Sequence, residues 1–288
     1  MPNAPLPQFT LHPRTYHENK FVYPVLSRRS KGISIGVNLN PDKVCNFDCI
    51  YCQVDRRSES ETRFVETDRM LAELDHMLRF ITSGDIYREP EFASIPEHLR
   101  RLNDIAFSGD GEPTTYRNFD SIVQSVAELK QKHGLAPVKM VLITNASMFH
   151  RPVVKRALEI FDENNGEIWA KLDAGTDDYY QTVERTKIPF RQILDNIADA
   201  ARRRPIVIQS LFMRIHGEPP SSEEIVAFCE RLNEVVKAGG KIKLVQIYTV
   251  ARPPAESFVA SLTNAEVDAI ADTVRERTQL ATEVYYGG

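Results

Sequence analysis

The stretch ISIGVNLNPDKVCNFDCIYCQ, residues 33–53, joins an apolar run to a loop that holds three of the four cysteines in the chain. The run ISIGVNL is rich in isoleucine and valine, which predicts a buried strand. Cys45, Cys49 and Cys52 follow it with the spacing C-x3-C-x2-C. In a parallel α/β sheet, functional groups gather at the carboxyl ends of the strands, so this loop is the first candidate for a functional site.

From residue 32 onward, short apolar runs alternate with amphipathic helical patterns, which is the order expected of βαβ units. Strands are predicted at 33–39, 104–109, 138–144, 167–173, 205–213 and 241–250. Helices are predicted at 67–82, at 118–132, after Pro152 and after Pro189. Two more are predicted to begin at capping-box pairs, Ser221 with Glu224 and Thr263 with Glu266. Nearly continuous apolar strands predict a parallel sheet covered by helices. We therefore predict an α/β fold, a partial (β/α)6 barrel of the TIM type.

The chain shows no repeat, low-complexity tract or clear linker between domains. We predict that residues 32–288 form the barrel with a C-terminal helix. Residues 1–31 are predicted to be an N-terminal extension that packs on the barrel.

Composition sets limits on location and partners. The 288 residues carry a formal net charge of -4, which argues against coating nucleic acid through bulk electrostatics. The opening MPNAPLPQFT does not resemble a signal peptide, and no segment approaches the roughly 20 apolar residues of a membrane span. We expect a cytoplasmic protein with no membrane partner, in which clustered cysteines hold metal more often than they form disulfides.

Three thiols at this spacing suit some metal sites better than others. A structural zinc ion usually takes four protein ligands, and no cysteine or histidine lies nearby to complete them. An iron-sulfur cubane held by three thiolates leaves one iron open for a substrate or cofactor. Zinc with a distant fourth ligand and three cysteines without metal remain as alternatives. The fourth cysteine, Cys229, falls on an apolar helix face and is predicted to be a buried small hydrophobic residue.

The C-x3-C-x2-C spacing, with Tyr51 before the last cysteine, resembles the signature of the radical S-adenosylmethionine (radical SAM) superfamily. The resemblance implies that Cys45, Cys49 and Cys52 hold a 4Fe-4S cluster whose open iron binds the amino and carboxylate groups of S-adenosyl-L-methionine (SAM). The reduced cluster would pass one electron to the sulfonium, and the resulting 5'-deoxyadenosyl radical would abstract hydrogen from a substrate. It also implies that Tyr51 belongs to the cofactor site, and that an electron donor such as flavodoxin or ferredoxin reduces the cluster.

The segment SGDGEPT, residues 108–114, follows the second predicted strand. Gly109 and Gly111 permit close approach of a backbone to a ligand, and Glu112 can accept hydrogen bonds from an ammonium group. The segment resembles the family's Gly-Gly-Glu-Pro motif, which binds the SAM amino group, although Asp110 stands where the commonest form has glycine. We predict that Gly109, Asp110, Gly111 and Glu112 bind SAM, with a simple turn as the alternative.

Polar residues follow the third and fourth predicted strands. Thr144 and Asn145 are predicted to hydrogen-bond the SAM ribose or carboxylate, or else to cap a turn. Lys171 and Asp173 lie on the same side of a strand, because side chains alternate with period two. Charges inside a barrel are costly unless they are paired or used. The family resemblance implies a ribose-binding or substrate-facing position here, so we predict that both are catalytic or face the substrate and that Asp173 also contacts the cofactor ribose. The alternative is that they form a structural ion pair.

The fifth and sixth predicted strands carry further candidates. Gln209 stands among apolar neighbours, and Arg252 follows the sixth strand in a proline-rich loop. We predict that both contact the cofactor or the substrate. The alternative is that they satisfy backbone groups, and the same two interpretations apply to Gln246 and Tyr248.

Residues 22–256 resemble a group that includes the wyosine-forming tRNA enzymes and their bacterial relatives. Those enzymes build a tricyclic guanosine with a second iron-sulfur cluster and a lysine that can form a Schiff base. Only Cys229 remains here after the first three cysteines, so a second cluster with three protein thiolates cannot form within one chain. We expect a small-molecule or nucleoside substrate, and tRNA is not favoured. The competing hypotheses are an iron-sulfur electron carrier or sensor without SAM cleavage, and a zinc-stabilised binding module.

Overall fold

The computed structural model describes residues 14–56, 58–60 and 62–287. The chain divides into two compact units. The first comprises Met1–Cys45, Arg56–Ile143 and Pro152–Glu167, and the second comprises Asn46–Asp55, Thr144–Arg151 and Ile168–Gly288. Residues 1–13 of the predicted N-terminal extension lie outside the described residues. Within the described ranges, every helix is too short or too polar to cross a bilayer.

The first unit contains four strands and three long helices. In chain order these are β1 (Val22–Ser27), β2 (Gly32–Val37), α1 (Thr67–Thr82), β3 (Leu102–Phe107), α2 (Phe119–Lys132), β4 (Lys139–Thr144) and α3 (Pro152–Glu163). Strands β2, β3 and β4 are parallel neighbours, and β1 pairs with β2 in the antiparallel direction. The parallel pairs are those expected from the βαβ order of the sequence. Helix α1 has the predicted bounds.

The sequence did not predict β1. Pro24 within it cannot donate to a ladder, but among the described residues β1 has a neighbour on one side only, where a proline is tolerated. The buried carboxylate of Glu73 on α1 accepts hydrogen bonds from the backbone N–H groups of Lys20, at 3.0 Å, and Phe21, at 2.8 Å. This contact between distant parts of the chain attaches the start of β1 to α1, and it leaves no local sequence pattern.

The second unit contains the remaining strands and helices. They are β5 (Gly166–Lys171), α4 (Asp177–Glu184), α5 (Phe190–Arg203), β6 (Ile206–Leu211), β7 (Arg214–Ile215), α6 (Ser222–Lys237), β8 (Ile242–Tyr248), β9 (Val259–Ala260), α7 (Asn264–Thr278) and β10 (Thr282–Tyr285). Strands β5, β6, β8 and β10 are parallel neighbours in that order, and β7 pairs antiparallel with β9. Helix α4 and the short strands β7, β9 and β10 were not predicted.

The two helix starts that were predicted from capping residues differ in the structure. Thr263 and Glu266 form a complete, reciprocal capping box at the start of α7. At the start of α6, the Ser221 hydroxyl accepts the backbone N–H of Glu224 at 3.2 Å. The Glu224 carboxylate does not return this contact, because it accepts a hydrogen bond from the Thr176 hydroxyl at 2.5 Å instead. The predicted capping box at α6 is therefore only half formed.

Candidate functional site

The loop after β2 carries the three clustered cysteines. Cys45, Cys49 and Cys52 are all partly buried, and none forms a disulfide. A turn closes over the last two, where the backbone N–H of Cys52 donates to the carbonyl of Cys49 at 2.9 Å. Cys229 is 1% exposed in α6, as predicted for a packing residue. The clustered thiols and the buried one are therefore chemically distinct.

The Cys49 thiol lies against a carboxyl group that the sequence analysis did not identify. Its Sγ atom donates to Oε2 of Glu184, the last residue of α4, at 2.7 Å. Burial, and then the nearby Glu184, raise the pKa of the Cys49 thiol well above its ordinary value. Burial, followed by Asp173, likewise raises the pKa of the Glu184 carboxyl. Both shifts favour the protonated forms of the thiol and the carboxyl.

The donor set of this loop fits an iron-sulfur cluster. Thiolate sulfur is the ligand that such clusters use, and three partly exposed cysteines, none in a disulfide, lie within eight residues. Across the described ranges 14–56, 58–60 and 62–287, no three His, Cys, Asp or Glu side chains are already grouped as a metal site. Cys49 has to release its proton before its sulfur can bind metal, and the hydrogen bond to Glu184 then persists only with a protonated Glu184 as the donor.

Three predicted site residues of the second unit lie together. The Tyr51 hydroxyl donates to Oδ2 of Asp173 at 2.5 Å, and Nζ of Lys171 lies 3.3 Å from the same oxygen. The other oxygen, Oδ1, accepts the backbone N–H of Leu211 at 2.7 Å. Lys171 also lies 4.4 Å from the centre of the Tyr51 ring, within range of a cation–π contact. The ion pair that the sequence allowed between Lys171 and Asp173 is therefore present.

Burial and nearby charge shift the pKa values of both Tyr51 and Lys171. Burial raises the pKa of the Tyr51 hydroxyl, and the adjacent Asp173 carboxylate raises it further. Burial lowers the pKa of the Lys171 ammonium, but Asp173 and Tyr248 outweigh it, and the pKa is raised above its ordinary value. Lys171 is therefore a fixed positive charge, and Tyr51 is a neutral hydrogen-bond donor.

Lys171 begins a row of polar side chains across the sheet of the second unit. Register pairs join Lys171 to Gln209, Gln209 to Gln246, and Gln246 to Glu283, on β5, β6, β8 and β10. Residues in register on parallel neighbours lie on one face of the sheet. The Gln209 amide nitrogen donates to Oε1 of Gln246 at 2.8 Å. The side-chain oxygen of Gln209, Oε1, is buried and has no partner within the part of the chain that the structure describes. It is an unsatisfied buried acceptor, which is rare in folded proteins.

Thr144 and Asn145 take part in turn contacts, the alternative that the sequence left open. The Thr144 hydroxyl accepts the backbone N–H of Ala146 at 3.0 Å. The Asn145 amide nitrogen donates to Oδ1 of Asn46 at 2.9 Å, and Asn46 directly follows the first cysteine. Asn145 therefore supports the cysteine loop.

The predicted SAM loop lies in the first unit, where Asp110 is held from two sides. Oδ2 of Asp110 accepts from the Asn38 amide at 2.7 Å, and Oδ1 lies 3.2 Å from Nε of Arg14. Arg14 also donates to the carbonyl oxygen of Gly109. Any side chain at Gly109 would overlap Asn38, so this position requires glycine. Asp110, which departs from the family motif, thus has a structural role here.

The second half of this loop packs against the chain that leads to the cysteines. A Cβ atom at Gly111 would overlap the carbonyl oxygen of Val44, the residue before Cys45. The buried Glu112 carboxylate accepts the backbone N–H of Thr114 at 3.1 Å and its hydroxyl at 2.5 Å. Glu112 therefore caps the short turn Pro113–Thr115 through Oε1.

Arg252 is connected to the last cysteine through its loop. The Gln53 amide donates to the backbone carbonyl of Arg252 at 3.4 Å, and the backbone N–H of Ala255 donates to the carbonyl of Cys52 at 3.0 Å. These contacts place the main chain of the proline-rich loop beside Cys52.

Sequence reasoning missed α4 and with it Glu184. The helix has a recognisable start, because the Thr176 hydroxyl accepts the N–H of Tyr179 at 3.3 Å and Asp177 and Asp178 occupy the first turn. A threonine followed by two aspartates was the signal available in the sequence. Nothing local indicates that the last residue of this short helix contacts Cys49.

Comparison with protein families gives one match. The model of the Radical SAM superfamily matches residues 39–232, which is more than half of the chain. The matched range contains the cysteine loop, the glycine loop and α4.

Curated relatives are distant and mostly longer. A UPF0026 protein from Helicobacter pylori is 25% identical over 240 residues, which cover 80% of this chain and 66% of that protein. A UPF0026 protein from Methanocaldococcus jannaschii is 25% identical over 249 residues, covering 82% of this chain and 65% of that protein. A GTPase Obg from Brachyspira hyodysenteriae is 23% identical over 252 residues, 85% of this chain but 32% of that protein. The chain thus spans less than two thirds of each of these relatives.

Solved structures share the fold. A radical SAM methyltransferase from Sphaerobacter thermophilus aligns with a TM-score of 0.64 at 13% identity, covering 92% of this chain and 69% of that one. A structure of TYW1 with a lysine-pyruvate adduct bound aligns with a TM-score of 0.55 at 17% identity, covering 86% of this chain and 74% of that one. These similarities confirm the predicted α/β partial barrel.

Proposed function

Because this chain belongs to the radical SAM superfamily, we propose that Cys45, Cys49 and Cys52 bind a 4Fe-4S cluster, with which the enzyme cleaves SAM and abstracts hydrogen from an organic substrate. The observation that carries the proposal is the set of three partly exposed cysteines, none in a disulfide, at C-x3-C-x2-C spacing within the matched range. When bound, such a cluster supplies one electron at low potential. The chain's own residues supply the ligands, the cofactor contacts and the substrate-facing surface.

SAM is proposed to bind the glycine loop, residues 109–112. Gly109 and Gly111 bring the loop backbone close to a ligand, and Asp110 and Glu112 supply carboxylates that suit an ammonium group. Further contacts are proposed for Tyr51, Thr144, Asn145, Asp173, Gln209 and Arg252. The buried position of Glu112 supports its role, because a carboxylate shielded from water attracts an ammonium more strongly than an exposed one.

Glu112→Gln tests the loop assignment. The amide keeps an oxygen that can accept from Thr114 and so preserves the turn, but it removes the negative charge. We expect SAM affinity to fall about tenfold with iron content unchanged. Anaerobic calorimetric titration of the cluster-loaded protein with SAM measures this. The control is Glu128→Gln, an exposed position on α2. Equal affinities in both variants would show that the loop does not bind the SAM amino group.

Lys171 and Asp173 are proposed to face the substrate. Lys171 is fixed as a cation by Asp173, so it would bind an anionic or strongly polar group by charge. A lysine that forms a Schiff base needs a lowered pKa, whereas the pKa of Lys171 is raised. The side-chain oxygen Oε1 of Gln209, which has no partner within the described residues, would accept an N–H from the same molecule. We therefore propose a small-molecule or nucleoside substrate that carries both an acceptor and a donor group.

The proposal extends to partners and location. The cluster requires an electron donor, and flavodoxin or ferredoxin is the proposed class. With a net charge of -4, a tRNA substrate is not favoured. A cytoplasmic location follows from the use of reduced thiols.

The test of function is SAM cleavage by the loaded protein. The chain is reconstituted with iron and sulfide without oxygen, reduced with dithionite and supplied with SAM, and 5'-deoxyadenosine is measured by chromatography. We expect 5'-deoxyadenosine above the level of a metal-free control. An electron carrier or sensor would give none, and its reduced electron paramagnetic resonance spectrum would not change when SAM is added. Either result with a fully loaded cluster would reject the proposed activity.

A further inference from the structure

The end of α4 contacts five consecutive residues of the cysteine loop. The contacting segment, Val183–Thr186, is called the α4 turn here. Together with Tyr180, one turn earlier in the helix, it touches each residue of the loop segment Asn46–Ile50. About 135 positions of chain separate the two segments, so no local pattern predicts their contact. Both segments belong to the second unit.

Two backbone hydrogen bonds connect the segments. The N–H of Asp48 donates to the carbonyl of Glu184 at 3.1 Å, and the N–H of Ile50 donates to the carbonyl of Val183 at 2.9 Å. The two donors flank Cys49. Val183 is fully buried and packs in one apolar cluster with Ile50, so water does not compete strongly for these bonds.

Side chains extend the contact on both sides of the backbone pair. The Thr186 hydroxyl donates to the carbonyl of Asn46 at 2.9 Å. The ring of Phe47 packs edge-on to Tyr180, with 6.1 Å between ring centres. The Glu184 carboxyl receives the hydrogen bond from the Cys49 thiol at 2.7 Å.

The α4 turn adopts an unusual backbone conformation that its surroundings maintain. Arg185, which ends the helix, has φ of 45°, the left-handed region that non-glycine residues seldom adopt. Its guanidinium lies 2.6 Å from Oε1 of Glu256 and 3.7 Å from Oδ2 of Asp48. A strained residue persists where neighbouring contacts determine its conformation. The contact with the cysteine loop is part of what holds the turn.

We propose that the α4 turn is a template that holds Asn46–Ile50 in one conformation before any cluster is present, and that Glu184 is a positioning residue for the Cys49 sulfur. This inference rests on the proposed function only in taking the loop as the cluster loop. A flexible loop loses conformational entropy when it closes on a metal, and a preformed loop avoids much of that loss. The template therefore increases the affinity of the loop for its cluster.

The first test measures loop order in the cluster-free chain. Thr186→Val keeps the shape of the side chain and removes the hydroxyl that anchors Asn46. We expect the amides of Asp48 and Ile50 to exchange with solvent about fivefold faster, as expected for the loss of one intramolecular hydrogen bond. Exchange is followed by nuclear magnetic resonance. The matched control is Thr182→Val, whose hydroxyl bonds Asp178 on the exposed side of the same helix.

The second test separates positioning from simple packing at Glu184. Glu184→Leu fills the space without a polar group, whereas Glu184→Gln keeps a group that can hydrogen-bond sulfur. After reconstitution, we expect the leucine variant to lose iron to a chelator about tenfold faster and the glutamine variant to remain within about twofold of wild type. If Glu184 only filled space, the leucine variant would keep its iron as well as the glutamine variant does.

Each outcome decides between the alternatives. Unchanged exchange in Thr186→Val, or equal iron loss in the leucine and glutamine variants, would overturn the template. Faster exchange with glutamine rescue would support it. If wild type takes up no iron while its Asp48 and Ile50 amides are protected, the proposed function fails, and the ordered loop then belongs to some other site.

Discussion

Cys52→Ala is expected to leave the chain without a stable cluster. The variant leaves two thiolates, Cys45 and Cys49, and two thiolates cannot hold a cubane firmly. We expect iron to fall from about four per chain in the reconstituted wild type to below about one. The visible absorption of the cluster and SAM cleavage should disappear with it. Iron and sulfide analysis after desalting measures the effect.

Cys229→Ala is the matched control for this experiment. It removes a thiol from the same chain, but from the buried face of α6 rather than from the loop. We expect full iron content and SAM cleavage, with a loss of stability of about 1 kcal/mol from the small cavity. If Cys52→Ala retained as much iron as Cys229→Ala, the cluster assignment would be wrong.

Lys171→Met is expected to produce the largest loss of stability among the site variants. It leaves the fully buried Asp173 carboxylate without its counter-ion, although Tyr51 and Leu211 still donate to it. Removing one partner of a buried ion pair costs about 3 kcal/mol, because the remaining charge stays in a poorly solvated position. Urea unfolding of the cluster-free chain at neutral pH measures the change.

The chain contains a matched ion pair at the surface. Lys139 and Glu167 are also 3.3 Å apart, but the Lys139 side chain is 44% exposed, against 20% for Lys171. Lys139→Met should therefore cost less than about 1 kcal/mol. The double variant Lys171→Met with Asp173→Asn should recover part of the loss, because it removes the unpaired charge. If Lys139→Met and Lys171→Met lowered the free energy of unfolding by equally small amounts, the buried pair would contribute no more to stability than the surface pair.

The residues of the α4 turn and those of the Lys171–Asp173 ion pair belong to one group of neighbouring side chains. Asp173 precedes α4 and Glu184 ends it. Asp173 contributes to the raised pKa of the Glu184 carboxyl, and the nearby Lys171 cation opposes that shift. Cys49 and Tyr51 bring the cysteine loop into the same group of side chains. The proposed ligand loop and the proposed substrate-facing residues of the second unit therefore depend on one set of contacts.

The sequence was most informative where neighbouring residues decide the structure. The bounds of α1, the capping box of α7 and the burial of Cys229 follow from local periodicity and capping chemistry. Period-two alternation correctly placed Lys171 and Asp173 on one side of the chain. The cysteine spacing likewise indicated the family, because three thiols on one loop are a local feature.

Contacts between distant residues required the tertiary structure. Glu224 completes a capping box by sequence pattern, yet its carboxylate bonds Thr176 instead. Glu184 has no local feature that marks it, and only folding brings it to Cys49. The physical reason is that helix periodicity and caps depend on residues within about four positions, whereas a side chain's final partner depends on which strands and helices pack together. The sequence by itself determined the family and the thiols, and the packing of α4 decided how the loop that carries Cys49 is held.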